Sequence, residues 1–221
     1  MKTRIRSFLK RTLGGETANR ISGAYHDWRA RKRTETFLAN LSQQNLCLNL
    51  GCGYRPMKGW INVDHARGPE VQIVWDIRRG LPFRDGSCAA IFSEHLIEHV
   101  SKEEAQRLLA ECYRVLEPGG VLRLSTPDAE CYLRSYAGDQ KFLHHPSFDE
   151  EIRTALDRVN EMMHEYGHRW AYDAESLTLA LRCAGFSRTV EQEFAQSLLP
   201  KMQGIDAQAR AFESLYVEAV K

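Results

Sequence analysis

The chain has 221 residues, 43% of them hydrophobic and 27% charged, and a formal net charge of +1. A chain of this length buries roughly 70% of its unfolded surface without disulfide or metal staples, so wholesale disorder, a fibrous repeat and a disulfide scaffold are excluded. No stretch approaches the ~20 apolar residues that span a bilayer, and Met1 to Gly15 is too charged for a signal-peptide apolar region. The six cysteines are scattered, without a Cys-x-x-Cys pair, which points to reduced thiols and a cytoplasmic location.

Charge is uneven along the chain. Residues 1–34 carry ten basic and two acidic groups, a net +8, which leaves −7 on the rest. A basic arm on an acidic body suits an anionic surface or ligand. Within the arm, Ile5, Phe8, Leu9 and Leu13 fall at helical spacing and Gly14-Gly15 ends the run. This predicts a short basic amphipathic helix able to touch a membrane surface. Residues 17–41 read as a second helix, with Ile21, Tyr25, Trp28, Phe37 and Leu41 as inward positions. Residues 1–44 are then a basic helical extension, and 45–221 the main domain.

Leu46-Cys-Leu-Asn-Leu50 is a short apolar run that stops at Gly51-Cys52-Gly53, the pattern of a buried strand entering a tight turn. Trp60–Asp64, Val71–Asp76 and Cys88–Ser93 are three further strands, the last opened by an Asp85-Gly86 turn. Ser101-Lys-Glu-Glu104 is a capping box before the apolar stripe Ala105, Leu108, Leu109, Cys112, Val115 and Leu116. Pro118-Gly119-Gly120 stops that helix, and Val121–Thr126 is a fifth strand, closed by Pro127-Asp128. Strand, helix and strand make a βαβ unit and demand a right-handed parallel crossover. Residues 128–170 are polar and aromatic without a strand period and read as an irregular helical insertion. Asp173 caps a helix through Leu177, Leu181 and Cys183, ended by Gly185. Phe186–Phe194 and Ser214–Val220 are late strands, the second an antiparallel partner.

A Gly-x-Gly turn after a strand lets backbone approach a ligand where a side chain would clash. Asp64, at the end of the next strand, can bind ribose hydroxyls as a double acceptor. A dinucleotide site fits poorly: Pro56 stands where a third glycine belongs, and ten residues separate Gly53 from Asp64 against the ~20 expected. A ligand with a ribose and no phosphate suits the turn better.

Five landmarks run in order: Leu48-Asn-Leu-Gly51-Cys-Gly53; Gly59-Trp-Ile-Asn-Val-Asp64; Asp76 followed by Leu81-Pro-Phe83-Arg-Asp85; His95-Leu-Ile-Glu98-His99; and Arg114-Val-Leu-Glu-Pro-Gly119-Gly120. Together, over about residues 46–128, they resemble the class I S-adenosylmethionine-dependent methyltransferases, in particular methyltransferase domain type 11. The resemblance implies an α/β fold: a Rossmann-like, seven-stranded, mostly parallel sheet with one antiparallel edge strand and helices on both faces. It implies S-adenosylmethionine as cofactor, with Gly51, Cys52 and Gly53 beneath its ribose and methionine part. Asp64 would hold the ribose hydroxyls, Asp76 and Ile77 the adenine edge, and Ser93 and His95 would border the methionine end. Asn49 stands where most members carry an acid, and Ala89 where the family often has Asp.

Such an enzyme mainly aligns a nucleophile with an activated methyl group, and a general base is needed only for a protonated acceptor. His95 ranks first as that base and His168, in Tyr166-Gly-His-Arg-Trp170, second; Glu98, His99 and His164 are the remaining candidates. His95-Leu-Ile-Glu98-His99 also matches the His-x-x-Glu-His pattern of some zinc proteases, but the sequence marks no third ligand and no metal is expected. The expected reaction is methyl transfer to oxygen of a small-molecule or glycan acceptor. A non-catalytic S-adenosylmethionine-binding module, or a nucleotide- or NAD-binding enzyme on the same sheet plan, are the alternatives. No nucleic-acid partner is expected, since the body is acidic and shows no recognition fold.

Overall fold

The computed structural model describes residues 15–139, 142, 145 and 154–221. The amphipathic helix expected over 5–13, and residues 140–141, 143–144 and 146–153 of the expected helical insertion, lie outside the described residues.

Seven strands form one sheet: β1 (Leu46–Leu50), β2 (Ile61–Asp64), β3 (Ile73–Val74), β4 (Cys88–Glu94), β5 (Leu116–Pro127), β6 (Arg188–Glu191) and β7 (Ser214–Val220). Their order is β3-β2-β1-β4-β5-β7-β6. Pairings from β3 to β5 are parallel, whereas β7 runs antiparallel to both β5 and β6. The reversed strand is thus one in from the edge. The sheet is apolar on both faces because parallel strands are covered on both.

Three strands differ from the sequence reading by two or more residues at a limit. The late strand expected over Phe186–Phe194 is only Arg188–Glu191, the stretch that pairs with β7. β3 is only Ile73–Val74, because Trp75 donates Nε1–H to the Gly80 carbonyl (2.7 Å) and Asp76 caps a 3₁₀ turn over Ile77–Arg79. β5 starts at Leu116 rather than Val121. Gly119, at φ +80°, donates its N–H to the Lys221 carbonyl at 2.8 Å, which draws the Pro-Gly-Gly stretch into the sheet's margin.

Five α-helices are described: α1 (Gly15–Asn40), α2 (Lys102–Val115), α3 (Ala129–Tyr136), α4 (Ala155–His164) and α5 (Ala174–Cys183). Capping boxes open α2 at Ser101/Glu104, α4 at Thr154/Asp157 and α5 at Asp173/Ser176, each satisfying two otherwise orphaned backbone donors. The residues α2 buries are Ala105, Leu108, Leu109, Cys112 and Val115. They join Leu48, Leu50, Ile91 and Leu122 from the sheet and Leu177 and Leu181 from α5 in the main core. Each such side chain contributes ~1.5–3 kcal/mol on burial. On the opposite face Ala90 and Val121 meet Trp60, Leu199, Met202 and Ile205. The cover there includes a 3₁₀ turn at Pro200–Met202.

α1 meets the body through its C-terminal half, where Phe37 and Leu38, with Leu41 just beyond, pack against the core and Val74 N–H donates to Thr34 Oγ1 at 3.0 Å. Tyr25 and Trp28, expected to point inward, are 52% and 56% exposed and stack on each other instead. Helical spacing identifies a face, but at Tyr25 and Trp28 that face finds no partner element among the described residues.

Candidate active site

β1 lies between β2 and β4, so the chain leaves β1 toward one side of the sheet and later returns to its other side. Open α/β sheets bind ligands beyond the carboxyl ends of strands at such a point. Gly51, Cys52 and Gly53 lie there. Gly51 and Gly53 adopt φ of +67° and +47°, a region costly to residues with a Cβ. The N–H groups of Gly51 and Cys52 both donate to the Val63 carbonyl, at 2.9 and 3.2 Å. The Gly53 N–H donates to Asp64 Oδ2 at 2.9 Å. A Cβ on Gly51 would come within 2.8 Å of Leu96 Cδ1, whereas one on Gly53 would meet only the Gly51 carbonyl oxygen, at an ordinary 3.9 Å.

Asp64 is 8% exposed. Its Oδ1 accepts from the Ala66 N–H at 2.7 Å and lies 3.2 Å from His65 Nδ1. Both oxygens are therefore anchored, and each keeps acceptor capacity. Burial, and then the Asp64 charge, push the Cys52 thiol up to about 11, so Cys52 is a neutral wall of the turn. Asn49 donates its amide to the Arg55 carbonyl (3.0 Å) and to Asn62 Oδ1 (2.9 Å), and Asn62 Oδ1 also accepts the Met57 N–H. An ionised carboxylate at 49 could donate neither bond, so this loop uses the asparagine. The cradle and its carboxylate fit a nucleoside whose sugar presents two hydroxyls.

A cleft of about 800 Å³ opens between α1 and the ends of β2 and β3, lined in part by His65, Ala66, Trp75 and Asp76. Asp76 faces it in a fork with Arg78, whose Nε and Nη2 donate to Oδ1 and Oδ2 at 2.8 Å each. That hydrogen-bonded guanidinium holds the carboxyl below its ordinary range. Ile77 packs on the main core. Ser93 is buried near the end of β4, level with Leu50 and Leu124.

β4 delivers His95 at φ +46°, a strained value for a histidine. His95 Nε2 is 2.7 Å from Ser214 Oγ, and Ser214 donates its single proton to the Arg210 carbonyl at 2.8 Å. The arrangement satisfying both contacts has Nε2–H as donor. Nδ1 then faces Glu98 Oε1 at 3.2 Å without hydrogen-bond geometry. The 3₁₀ turn Ile97–His99 is strapped to the later chain: the Arg169 and Trp170 N–H groups donate to the Glu98 carbonyl at 2.7 and 3.2 Å. The strap brings the ring of His168 to 4.9 Å from that of His99. His164 is exposed at the end of α4 and joins no such group.

Beside them is a cleft of about 530 Å³, lined by Pro127, Tyr132, Met162, His168, Arg210 and Glu213 among others. Tyr132 donates its hydroxyl to Glu213 Oε2 at 2.6 Å, and burial with the Glu213 charge pushes its phenol far up. Two further residues escaped the sequence reading. Arg55 pairs with Glu94 and donates to the Ile205 carbonyl, while Glu94 Oε1 accepts the Ala207 N–H. A carboxylate ending a buried strand beside His95 was the available signal.

Residues 40–124 match the family described as methyltransferase domain. A "Probable S-adenosylmethionine-dependent methyltransferase" of Mycolicibacterium smegmatis is 43% identical over 67 residues, 28% of this chain and 24% of that protein. Malonyl-[acyl-carrier protein] O-methyltransferase 1 of Coxiella burnetii is 42% identical over 71 residues, 31% of this chain and 24% of that one. The matched stretch thus spans about a quarter of each relative's length. A crystal structure of a SAM-dependent methyltransferase from Thermotoga maritima shares the fold, at TM-score 0.52 and 20% identity over 91% of this chain and 97% of that one. In its matched residues 40–124, its relatives and its fold, the chain is similar to the class I S-adenosylmethionine-dependent methyltransferases.

Proposed function

We propose that the chain binds S-adenosylmethionine and transfers its methyl group to an oxygen of a small-molecule or glycan acceptor. The observation that carries this is the Gly53 N–H on Asp64, which joins the carboxyl ends of the adjacent strands β1 and β2. Bound there, the cofactor supplies a sulfonium-activated methyl group. In this reading Gly51, Cys52 and Gly53 form the floor and Asp64 grips the ribose. Asp76 and Ile77 border the adenine, and Ser93 borders the methionine end. The acceptor enters by the cleft beside Tyr132 and His168, and the residues lining it exclude water and orient the nucleophile. His95 and His168 flank that end, where a proton leaving an acceptor hydroxyl would be received.

Residues 45–221 constitute the catalytic domain in this reading, and 1–44 an extension whose described helix α1 rests on β3. The extension's basic residues are proposed to lean on an anionic membrane surface, and six unpaired thiols support a cytoplasmic setting. No helix among the described residues is long and apolar enough to cross a membrane.

Calorimetric titration of S-adenosylhomocysteine, followed by transfer of labelled methyl from S-adenosylmethionine to a panel of hydroxylated acceptors, tests the proposal. Saturable binding abolished by competing S-adenosylmethionine is expected. Absence of binding, or tighter binding of NAD, would overturn it. Removal of residues 1–15 is expected to lower partitioning onto vesicles of anionic lipid; unchanged partitioning would sink the membrane contact.

A further inference from the structure

We propose that Glu98, His99 and His168 bind one divalent transition-metal ion at the acceptor end of the site. One ligand atom from each lies within 4.8 Å of the others. Ligation at ~2.1 Å needs separations of about 3.4 Å in a tetrahedral set, which side-chain rotations of the two histidines can supply.

Three features make the group more than a chance cluster. Glu98 is 1% exposed, and while its Oε2 accepts the Thr126 hydroxyl at 3.2 Å, its Oε1 has no hydrogen-bond donor. A buried carboxylate oxygen left this way is costly, and a cation offsets that cost. His168 Nδ1 lies 2.6 Å from the Met162 carbonyl, so the proton resides on Nδ1 and the Nε2 lone pair is left for a ligand. Metal-binding histidines are oriented by this same kind of bond. Finally, His95 spends Nε2–H on Ser214, so its Nδ1 lone pair confronts the Glu98 oxygen across 3.2 Å. Two acceptors in that position require a positive charge or a shared proton.

Two imidazoles and one carboxylate select first-row ions such as Zn²⁺, Mn²⁺ or Fe²⁺ over Mg²⁺ or Ca²⁺. Three protein ligands leave positions open toward the cleft beside His168. There the ion would take an acceptor's oxygen, fix its direction and lower its proton affinity. His168 is then a ligand, and the acceptor's proton passes to His95 or to water.

The test uses tag-free full-length protein, stripped with EDTA and titrated with Co²⁺ alone, followed by visible absorption. Saturation at one Co²⁺ per chain is expected, with His99→Ala and His168→Ala each weakening binding at least ~10-fold and the exposed His26→Ala leaving it unchanged. Glu98→Gln should act likewise; if it does not fold, the wild-type titration and the two histidine variants decide. No saturable binding by the wild type, or equal binding by the His99 and His168 variants, overturns the site and assigns the charge to a proton shared by His95 and Glu98. S-adenosylhomocysteine affinity measured on the same samples keeps this outcome separate from failure of the methyltransferase reading, because the ribose carboxylate Asp64 is no part of the ion site.

Discussion

The backbone N–H of Gly53 donates to Oδ2 of Asp64 at 2.9 Å, so the turn that follows β1 is locked by the carboxylate that ends β2. One side chain therefore serves twice, shaping the cradle and offering it charge. Asp64→Ala is expected to weaken S-adenosylhomocysteine binding by ~1–3 kcal/mol, the value of charge-assisted bonds to a sugar diol. Asp64→Asn keeps an acceptor for Gly53 and should lose less. Calorimetry on the two variants checks the ordering, and unchanged affinity in both would remove Asp64 from the site.

Gly51 and Gly53 share a left-handed backbone but differ in what surrounds them. Gly51→Ala drives a methyl to within 2.8 Å of Leu96 and should lower stability by about 1–3 kcal/mol through strain and overpacking. Gly53→Ala places its methyl 3.9 Å from the Gly51 carbonyl oxygen, an ordinary contact, so its stability loss should be limited to the ~1–2 kcal/mol of the left-handed backbone. Its methyl occupies the cradle, however, so cofactor affinity should fall more than stability. Urea denaturation paired with calorimetry separates the two; a Gly53 variant with native affinity would show that nothing lies against that turn.

Cys52 is neutral at physiological pH because burial and the Asp64 charge raise its thiol from 9.0 to about 11. The raised value has a defined linkage. The stability it contributes is fully present below pH 9 and is lost as pH rises through 11. Iodoacetamide at pH 8, read by peptide mass spectrometry, should label the exposed Cys183 and spare Cys52. Bound S-adenosylhomocysteine should protect Cys52 further as pH is raised. Rapid labelling of native Cys52 at pH 8 would contradict its burial.

Local chemistry was readable from sequence, and distant chemistry was not. The strand–turn–strand from Leu46 to Asp64 announces itself because two glycines and a carboxylate answer one another within about a dozen positions. The caps at Ser101 and Asp173 are visible for the same reason. The meeting of His99 with His168 depends on two backbone bonds to the Glu98 carbonyl, and no periodicity encodes these. Nor does spacing tell whether a helix face has a partner, which is why Tyr25 and Trp28 were expected inside. Arg123 within an apolar strand carried a hint, since a charge there must be paired, but its partners lie far along the chain.

Those partners are Asp206 and Glu218. Arg123 donates Nε and Nη2 to the two Asp206 oxygens at 2.8 and 2.5 Å, and Nη1 to Glu218 at 3.1 Å, with all three side chains wholly buried. Asp206 also accepts the Ala195 N–H at 2.8 Å, so the group clamps the segment that covers the second sheet face. Removing one member leaves buried charge and a buried donor unpaired. Asp206→Ala is expected to cost ~3–5 kcal/mol in urea denaturation, whereas Lys32→Ala, which breaks an exposed pair with Glu35, should change stability by less than ~0.5 kcal/mol. Equal midpoints for the two variants would mean that water reaches Arg123 and that the clamp does not hold the segment down.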